Sequence, residues 1–323
     1  MHNQRFSLRH QIRAAWLLPA VLCAFIVPVS AQSPTNAPTP ERKAPTILFI
    51  GNSFVFASGS PVRFYRANTV KDLNGDGVGG VPALFKAFAN QAGIDFDVSL
   101  ETVPGVGIDH HLANKSNVVA RAWDRVVMIG FSTLNQQKPG DPELLVRSAK
   151  AMAELLHSQN TNVDIRLIAG WSRADQTYPT NGHWYGKPID VMAKDVRAGY
   201  DLAAASTPLI RGVIPVGEAW NRAIATGFAD PNPYDGISAN QIDLWTYDHY
   251  HASTFGYYLE ALMIFGHVTD LDPRSLGRNE RSALELGLSP AQAASLQQIA
   301  FDELSAARNA RPLQSFRPIA LPR

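Results

Sequence analysis

The stretch Thr46-Ile47-Leu48-Phe49-Ile50-Gly51-Asn52-Ser53-Phe54 decides how this chain reads. Four consecutive apolar residues, Ile47 to Ile50, end in a glycine; the run suits a strand buried on both faces. The same signature recurs downstream at Ile94–Val103, Asp124–Gly130, Val163–Ala169 and Ile210–Val216. Between these runs lie segments with helical spacing: Pro82–Ala92, Pro142–Ser158 (Leu144, Leu145, Ala149, Met152 and Leu156 on one side) and Asp190–Ala205. Two further helices are expected over Ser253–Val268 and Ser289–Ala307. Strands that alternate with helices require crossovers, so the sheet is mainly parallel and covered on both faces. The expected class is α/β, a doubly wound three-layer sandwich with five strands in one domain, residues 46–323. Ligands of such sheets bind beyond the carboxyl ends of the strands, so the residues directly after each strand carry the functional information.

Composition narrows the function classes. A chain of 323 residues with 46% hydrophobic and 18% charged residues is too apolar for a disordered protein. Its formal charge of +1 lacks the basic footprint of a nucleic-acid binder. One cysteine permits neither an internal disulfide nor a cysteine-based zinc site. At the N-terminus, Arg5, Arg9 and Arg13 precede an apolar run from Ala14 to Val29, followed by the small-x-small pattern Val29-Ser30-Ala31. Residues 1–31 are expected to be a signal peptide, and the proline-rich residues 32–45 a flexible leader. Cleavage removes three arginines and no acid, so the +1 becomes −2, and Cys23 leaves with the signal. The expectation is an exported protein, periplasmic or extracellular, without a stable membrane anchor after cleavage.

Two segments bear on chemistry. Ser53, in Gly51-Asn52-Ser53-Phe54, would stand at the carboxyl edge of the first strand, where a turn opened by glycine can leave its backbone N–H free as an oxyanion donor. A turn or capping serine is the bland alternative. Asp248-His249-Tyr250-His251 precedes the last long helices. A serine nucleophile needs a base, and the base an orienting acid; Asp248 and His251, three residues apart, can supply both from one loop. The same loop also reads as a solvated polar turn, or as metal ligands through Asp248, His249 and His251.

Together, the two segments resemble the SGNH, or GDSL-type, serine hydrolases, a superfamily of esterases and lipases with a flavodoxin-like sheet. The resemblance spans residues 46 to about 268. It implies Ser53 as nucleophile, His251 as base and Asp248 as the orienting acid, with no metal or organic cofactor required. The second block of the family contributes a glycine N–H to the oxyanion hole; Val103-Pro104-Gly105-Val106-Gly107 offers Gly105 or Gly107. The third block is normally Gly-x-Asn-Asp, whereas this chain has Gly130-Phe131-Ser132-Thr133, with Ser132 in the place of the asparagine. The chain thus resembles a divergent branch. Asn135 and Gln136 are substitute donors, and Ser132 is also a competing nucleophile.

The implied activity is hydrolysis of a carboxylic ester through an acyl-enzyme, on a small-molecule or carbohydrate ester. The aromatic segment containing Trp171, Tyr178, His183, Trp184 and Tyr185 offers faces for a sugar or an acyl chain, or else packs its own loop. The alternatives are a non-catalytic member that binds a glycan or other ligand, and a metal-dependent hydrolase. Calcium is a further expectation at Asp72, Asn74 and Asp76, which match the first half of a calcium loop; its twelfth position is Ala83 rather than glutamate, and a plain turn is the competing reading. His110 and His111 read as a helix-start or a loop pair without an assigned partner.

Overall fold

Continuous apolar runs form a parallel sheet here because both faces of each strand are covered by helices. The computed structural model describes residues 44–309. The expected signal peptide and nearly all of the expected leader lie outside the described residues. In chain order the strands are β1 (Thr46–Gly51), β2 (Lys71–Asp72), β3 (Asp97–Thr102), β4 (Arg125–Met128), β5 (Asp164–Ala169) and β6 (Ile210–Pro215). The helices are α1 (Gly80–Gln91), α2 (Ile108–Asn114), α3 (Ser116–Val119), α4 (Glu143–Gln159), α5 (Ala174–Thr177), α6 (Asp190–Ala205), α7 (Val216–Ala225), α8 (Thr254–Thr269), α9 (Arg281–Glu285) and α10 (Pro290–Asn309).

The sheet order is β2-β3-β1-β4-β5-β6, and every pairing is parallel. Helices α1, α8 and α10 pack on one another, as do α2, α4 and α6, which gives the three-layer α/β sandwich expected from the sequence. The strand count is corrected from five to six. Lys71–Asp72 pairs with Ser99 and Leu100 at the sheet edge and has no apolar run to announce it. Helix α7 was also not anticipated, because the apolar run of β6 passes into it without a break. Among the described residues no helix is long and apolar enough to cross a membrane.

Strand β1 sits between β3 and β4, so the chain reverses its winding direction beside it. The registers Ile50↔Glu101 and Ile50↔Met128 bring the carboxyl ends of these three strands level. The loops that follow them, residues 52–58, 103–107 and 129–135, therefore open at one switch point, where ligands of such sheets bind.

Helix α8 is buried over almost its whole circumference, and it carries one acid. Glu260 is fully buried, and neither carboxyl oxygen has a hydrogen-bond partner among the described residues. Burial pushes its carboxyl well above the usual range, because an isolated charge there would lose its hydration. The folded state thus holds a proton that the unfolded chain releases once pH exceeds the ordinary carboxylate range, and stability falls as pH rises through that window. Glu260→Gln, which mimics the protonated acid, is expected to match the parent in acid. Its advantage should grow by up to about 1.4 kcal/mol per pH unit above the ordinary range. Urea unfolding from about pH 5 to about pH 8 checks this; a constant difference between the two proteins would contradict it.

Candidate active site

The site begins where β1 ends. A side chain at Gly51 would meet Val55 Cγ2 at 2.5 Å and Ile129 Cγ2 at 2.7 Å, so the turn after β1 closes over β4 only with glycine there. The carbonyl of Asn52 then accepts the N–H groups of Val55 (2.9 Å) and Phe56 (3.1 Å), and that of Ser53 accepts Ser58 N–H at 2.9 Å. These bonds coil residues 52–58 into a tight turn.

The side chain of Asn52 ties three loops together. Its amide Nδ2 donates to Val106 O at 2.9 Å and to Gly130 O at 3.0 Å, while its Oδ1 accepts Phe54 N–H at 3.1 Å. Asn52 is buried, so these bonds hold the turn after β1 against the loops after β3 and β4 without competition from water. Sequence reading had assigned Asn52 no role. Its position between the glycine and the serine was a cue, but its partners are 54 and 78 residues away.

Ser53 is buried, with 6% of its surface exposed. Its backbone N–H has no hydrogen-bond partner among the described residues. Its carbonyl also accepts the Tyr257 hydroxyl of α8 at 3.2 Å, which links the turn to the helix that follows the histidine loop.

That loop is pinned at its base by the antiparallel bridge Trp245↔Ala252 and by Thr246 N–H donating to His251 O at 2.8 Å. At its tip His249 takes a left-handed conformation, φ 54°. Asp248 uses one oxygen for the N–H groups of Tyr250 (3.0 Å) and His251 (2.9 Å), and the other for His251 Nδ1 at 2.6 Å. Burial alone would raise this carboxyl; the bonds from the imidazole and the two backbone N–H groups outweigh it and hold it below the usual range. His251 is thereby oriented through Nδ1. Its Nε2 is buried and has no hydrogen-bond partner among the described residues.

The imidazole of His251 lies edge-on to Phe54, the residue after Ser53, with ring centroids 6.0 Å apart. The two segments picked from the sequence therefore meet. Ser53 and His251 are not hydrogen-bonded to each other in this structure, since Nε2 is without a partner. Catalytic hydrogen bonds are often long before substrate binds.

The oxyanion candidates surround the same turn. Gly105 is left-handed, φ 68°, with open space where a side chain would be. Gly107 caps α2, and a side chain there would lie 3.4 Å from Phe131 N, so it faces the loop of Ser132. The Ser132 hydroxyl accepts a hydrogen bond from Arg173 Nη1 at 3.1 Å and lies 3.5 Å from the Tyr250 hydroxyl. Neither substitute donor joins them. Asn135 turns its side-chain oxygen onto the N–H groups of Gln137 and Lys138, and Gln136 is exposed.

Arg173 was missed by the sequence reading, although it follows β5 as Ser53 follows β1. Its guanidinium lies 3.5 Å from the centroid of the Tyr250 ring and forks onto Asp175 at 3.0 and 2.6 Å. The residues after β5 also brace the histidine loop. Trp171 Nε1 donates to Tyr250 O at 3.2 Å, and Asp175 N–H donates to His249 O at 3.2 Å.

Other expectations fall elsewhere. Trp171 is fully buried between Phe54 (4.0 Å) and Trp220 (4.7 Å), stacked on both, so it is core rather than cleft lining. Trp184 is buried and donates to Asp195 at 2.8 Å; with His183 it lines a depression of about 450 Å³ against α6 that contains none of the site residues. Asp72 caps its own turn by accepting the N–H groups of Asn74 (3.0 Å) and Val78 (3.2 Å). Asn74 bonds Thr102 O and receives Lys115 Nζ at 3.2 Å, and Asp76 is exposed. Among the described residues no cluster of three or more His, Cys, Asp or Glu side chains is placed to hold a metal. His111 has a partner that the sequence did not reveal, the buried carboxylate of Glu101 at the end of β3.

Asn52→Ala removes two amide donors and leaves the buried Gly130 carbonyl and the half-buried Val106 carbonyl unpaired, so a loss of about 1–3 kcal/mol is expected. Asn52→Asp, equal in shape but without donors, should cost at least as much. Urea midpoints of the two variants check this, and parent-like midpoints for both would contradict it.

No protein-family model matches this sequence, and no curated protein matches it either. Solved structures do. A DUF4886 family protein from Bacteroides uniformis ATCC 8492 superposes with a TM-score of 0.54 at 16% identity, over 82% of this chain and 96% of that one. A "putative GDSL-like lipase" from Parabacteroides merdae ATCC 43184 gives 0.50 at 18% identity, over 71% of this chain and 96% of that one. With its parallel sheet and its layered helices, the chain has a divergent SGNH-type, or GDSL-type, three-layer fold.

Proposed function

We propose that the protein is an exported serine esterase that cleaves a carboxylic ester through an acyl-enzyme. One observation carries this reading: an imidazole held by Asp248 through Nδ1, with its Nε2 unpartnered, beside the turn that bears Ser53. The mechanism requires the Ser53 hydroxyl to reach His251 Nε2 when substrate binds. His251 Nε2 then takes the hydroxyl proton as Oγ attacks the ester carbonyl, and Asp248 stabilises the imidazolium. The oxyanion is held by Ser53 N–H, by the N–H of Gly105 or Gly107, and by the Ser132 hydroxyl. As the intermediate collapses, His251 returns the proton to the leaving alcohol. Water, deprotonated by the same nitrogen, releases the acid.

An acyl group on a carbohydrate is the substrate class to try first. Tyr234, 46% exposed, lies 4.2 Å from the His249 ring and 6.0 Å from that of Tyr178 between centroids, an aromatic rim beside the histidine loop that suits a sugar face. The absence of a Ser53–His251 hydrogen bond and the serine in place of the third-block asparagine favour a second reading, a ligand-binding protein of this fold without turnover.

Hydrolysis of p-nitrophenyl acetate and labelling by a fluorophosphonate probe separate the two. The parent is expected to turn over and to label at Ser53, with Ser53→Ala losing label and about 10³-fold or more of its rate. Equal rates in both proteins would remove Ser53 as nucleophile, and a folded parent that neither labels nor turns over would favour the binding protein.

A further inference from the structure

The chain lacks the asparagine that ordinarily presents a rigid amide to the oxyanion in proteins it resembles, and Ser132 stands in its place. A serine hydroxyl is shorter and rotates among three staggered positions, so by itself it is a poor fixed donor. In this protein the rotor is held. Arg173 Nη1 donates to Ser132 Oγ at 3.1 Å, and the Tyr250 hydroxyl stands at 3.5 Å. We propose that Arg173 is a positioning residue, which fixes the Ser132 hydroxyl as the third oxyanion donor and so replaces the missing asparagine; the inference rests on the esterase reading above.

The chemistry follows from the inventory of a hydroxyl, one proton and two lone pairs. A guanidinium N–H occupying a lone pair turns the proton away from Arg173. A charge-assisted bond to the oxygen also makes the O–H a stronger donor, since hydrogen bonds in a chain polarise one another. The location is right for this task. Ser132 follows β4, two residues after Gly130, whose carbonyl is bonded by Asn52, the neighbour of Ser53.

Arg173 is poorly set up as a receptor for an anionic substrate. Nε and Nη2 are engaged by Asp175, which neutralises the charge, the Tyr250 ring covers one face of the guanidinium, and the side chain is only 11% exposed. It is also held from outside the reacting atoms, by the carboxylate of Asp175, a residue whose backbone N–H braces the histidine loop. Such a group can hold its neighbour's hydroxyl throughout the cycle without moving.

The test is a double-mutant cycle on p-nitrophenyl acetate with Ser132→Ala, Arg173→Met and their combination, each checked for folding by its melting curve. Ser132→Ala should lower kcat by about 10²-fold. Arg173→Met should lower it by between about 10- and 100-fold, with KM within about 3-fold, and the double variant should be no slower than Ser132→Ala alone. Ser132→Asn, which carries its own fixed amide, should restore kcat in the Arg173→Met background. Arg173→Lys keeps a donor and should lower kcat by less than about 10-fold with KM within about 3-fold, and Ser132→Asn should restore it; this variant is read where the methionine variant does not fold. Losses that multiply, an effect confined to KM, or no rescue by Ser132→Asn would each overturn the assignment while leaving the esterase reading intact. A folded parent that neither hydrolyses the ester nor labels at Ser53 overturns both.

Discussion

The arrangement at the sheet's switch point depends on one amide. Asn52 donates from a single nitrogen to Val106 O and Gly130 O, the loops after β3 and β4, while its backbone carries the turn that presents Ser53. Three strand ends lie level because of their register, yet register alone leaves the loops beyond them free to splay. A buried amide with both donors satisfied removes that freedom, because the Gly130 carbonyl it would release is buried away from water. The turn that bears Ser53 and both loops proposed for the oxyanion hole are therefore one mechanical unit.

The histidine loop is built on a different principle. Beyond the bridge at its base it has no regular structure, and its tip is shaped by one carboxylate accepting three hydrogen bonds, two from the loop backbone and one from the imidazole. Asp248 folds the loop and orients the ring in the same act. The residues after β5 support it from behind, so a site assembled from loops is as constrained as one placed on strands.

What was legible in the sequence was local. β1 and β4–β6 announce themselves as apolar runs because both faces are buried, and Ser53, Asp248 and His251 stand out because their residue types and spacing fit one chemistry. β2 was invisible, since two polar residues at an edge pair through backbone alone. α7 was masked by apolar continuity with β6. The bonds of Asn52, the clamp of Arg173 on Ser132 and the Glu101–His111 pair were illegible for a common reason. Each is a tertiary contact whose partner no periodicity points to, and Glu101 is buried where a charged side chain reads as exposed. The aromatic residues after β5 read both ways, as ligand-facing or as packing, and Trp171 takes the second course by turning inward.

That inward turn has an optical consequence. Trp171 and Trp220 lie 4° from parallel with centroids 4.7 Å apart, and Phe54 continues the stack at 4.0 Å. Indoles this close and this aligned share their electronic transitions, so the pair behaves as a coupled chromophore with a circular-dichroism signature of its own. Because the third ring of the stack belongs to the residue next to Ser53, the molecule carries a built-in spectroscopic gauge of the geometry of the turn after β1.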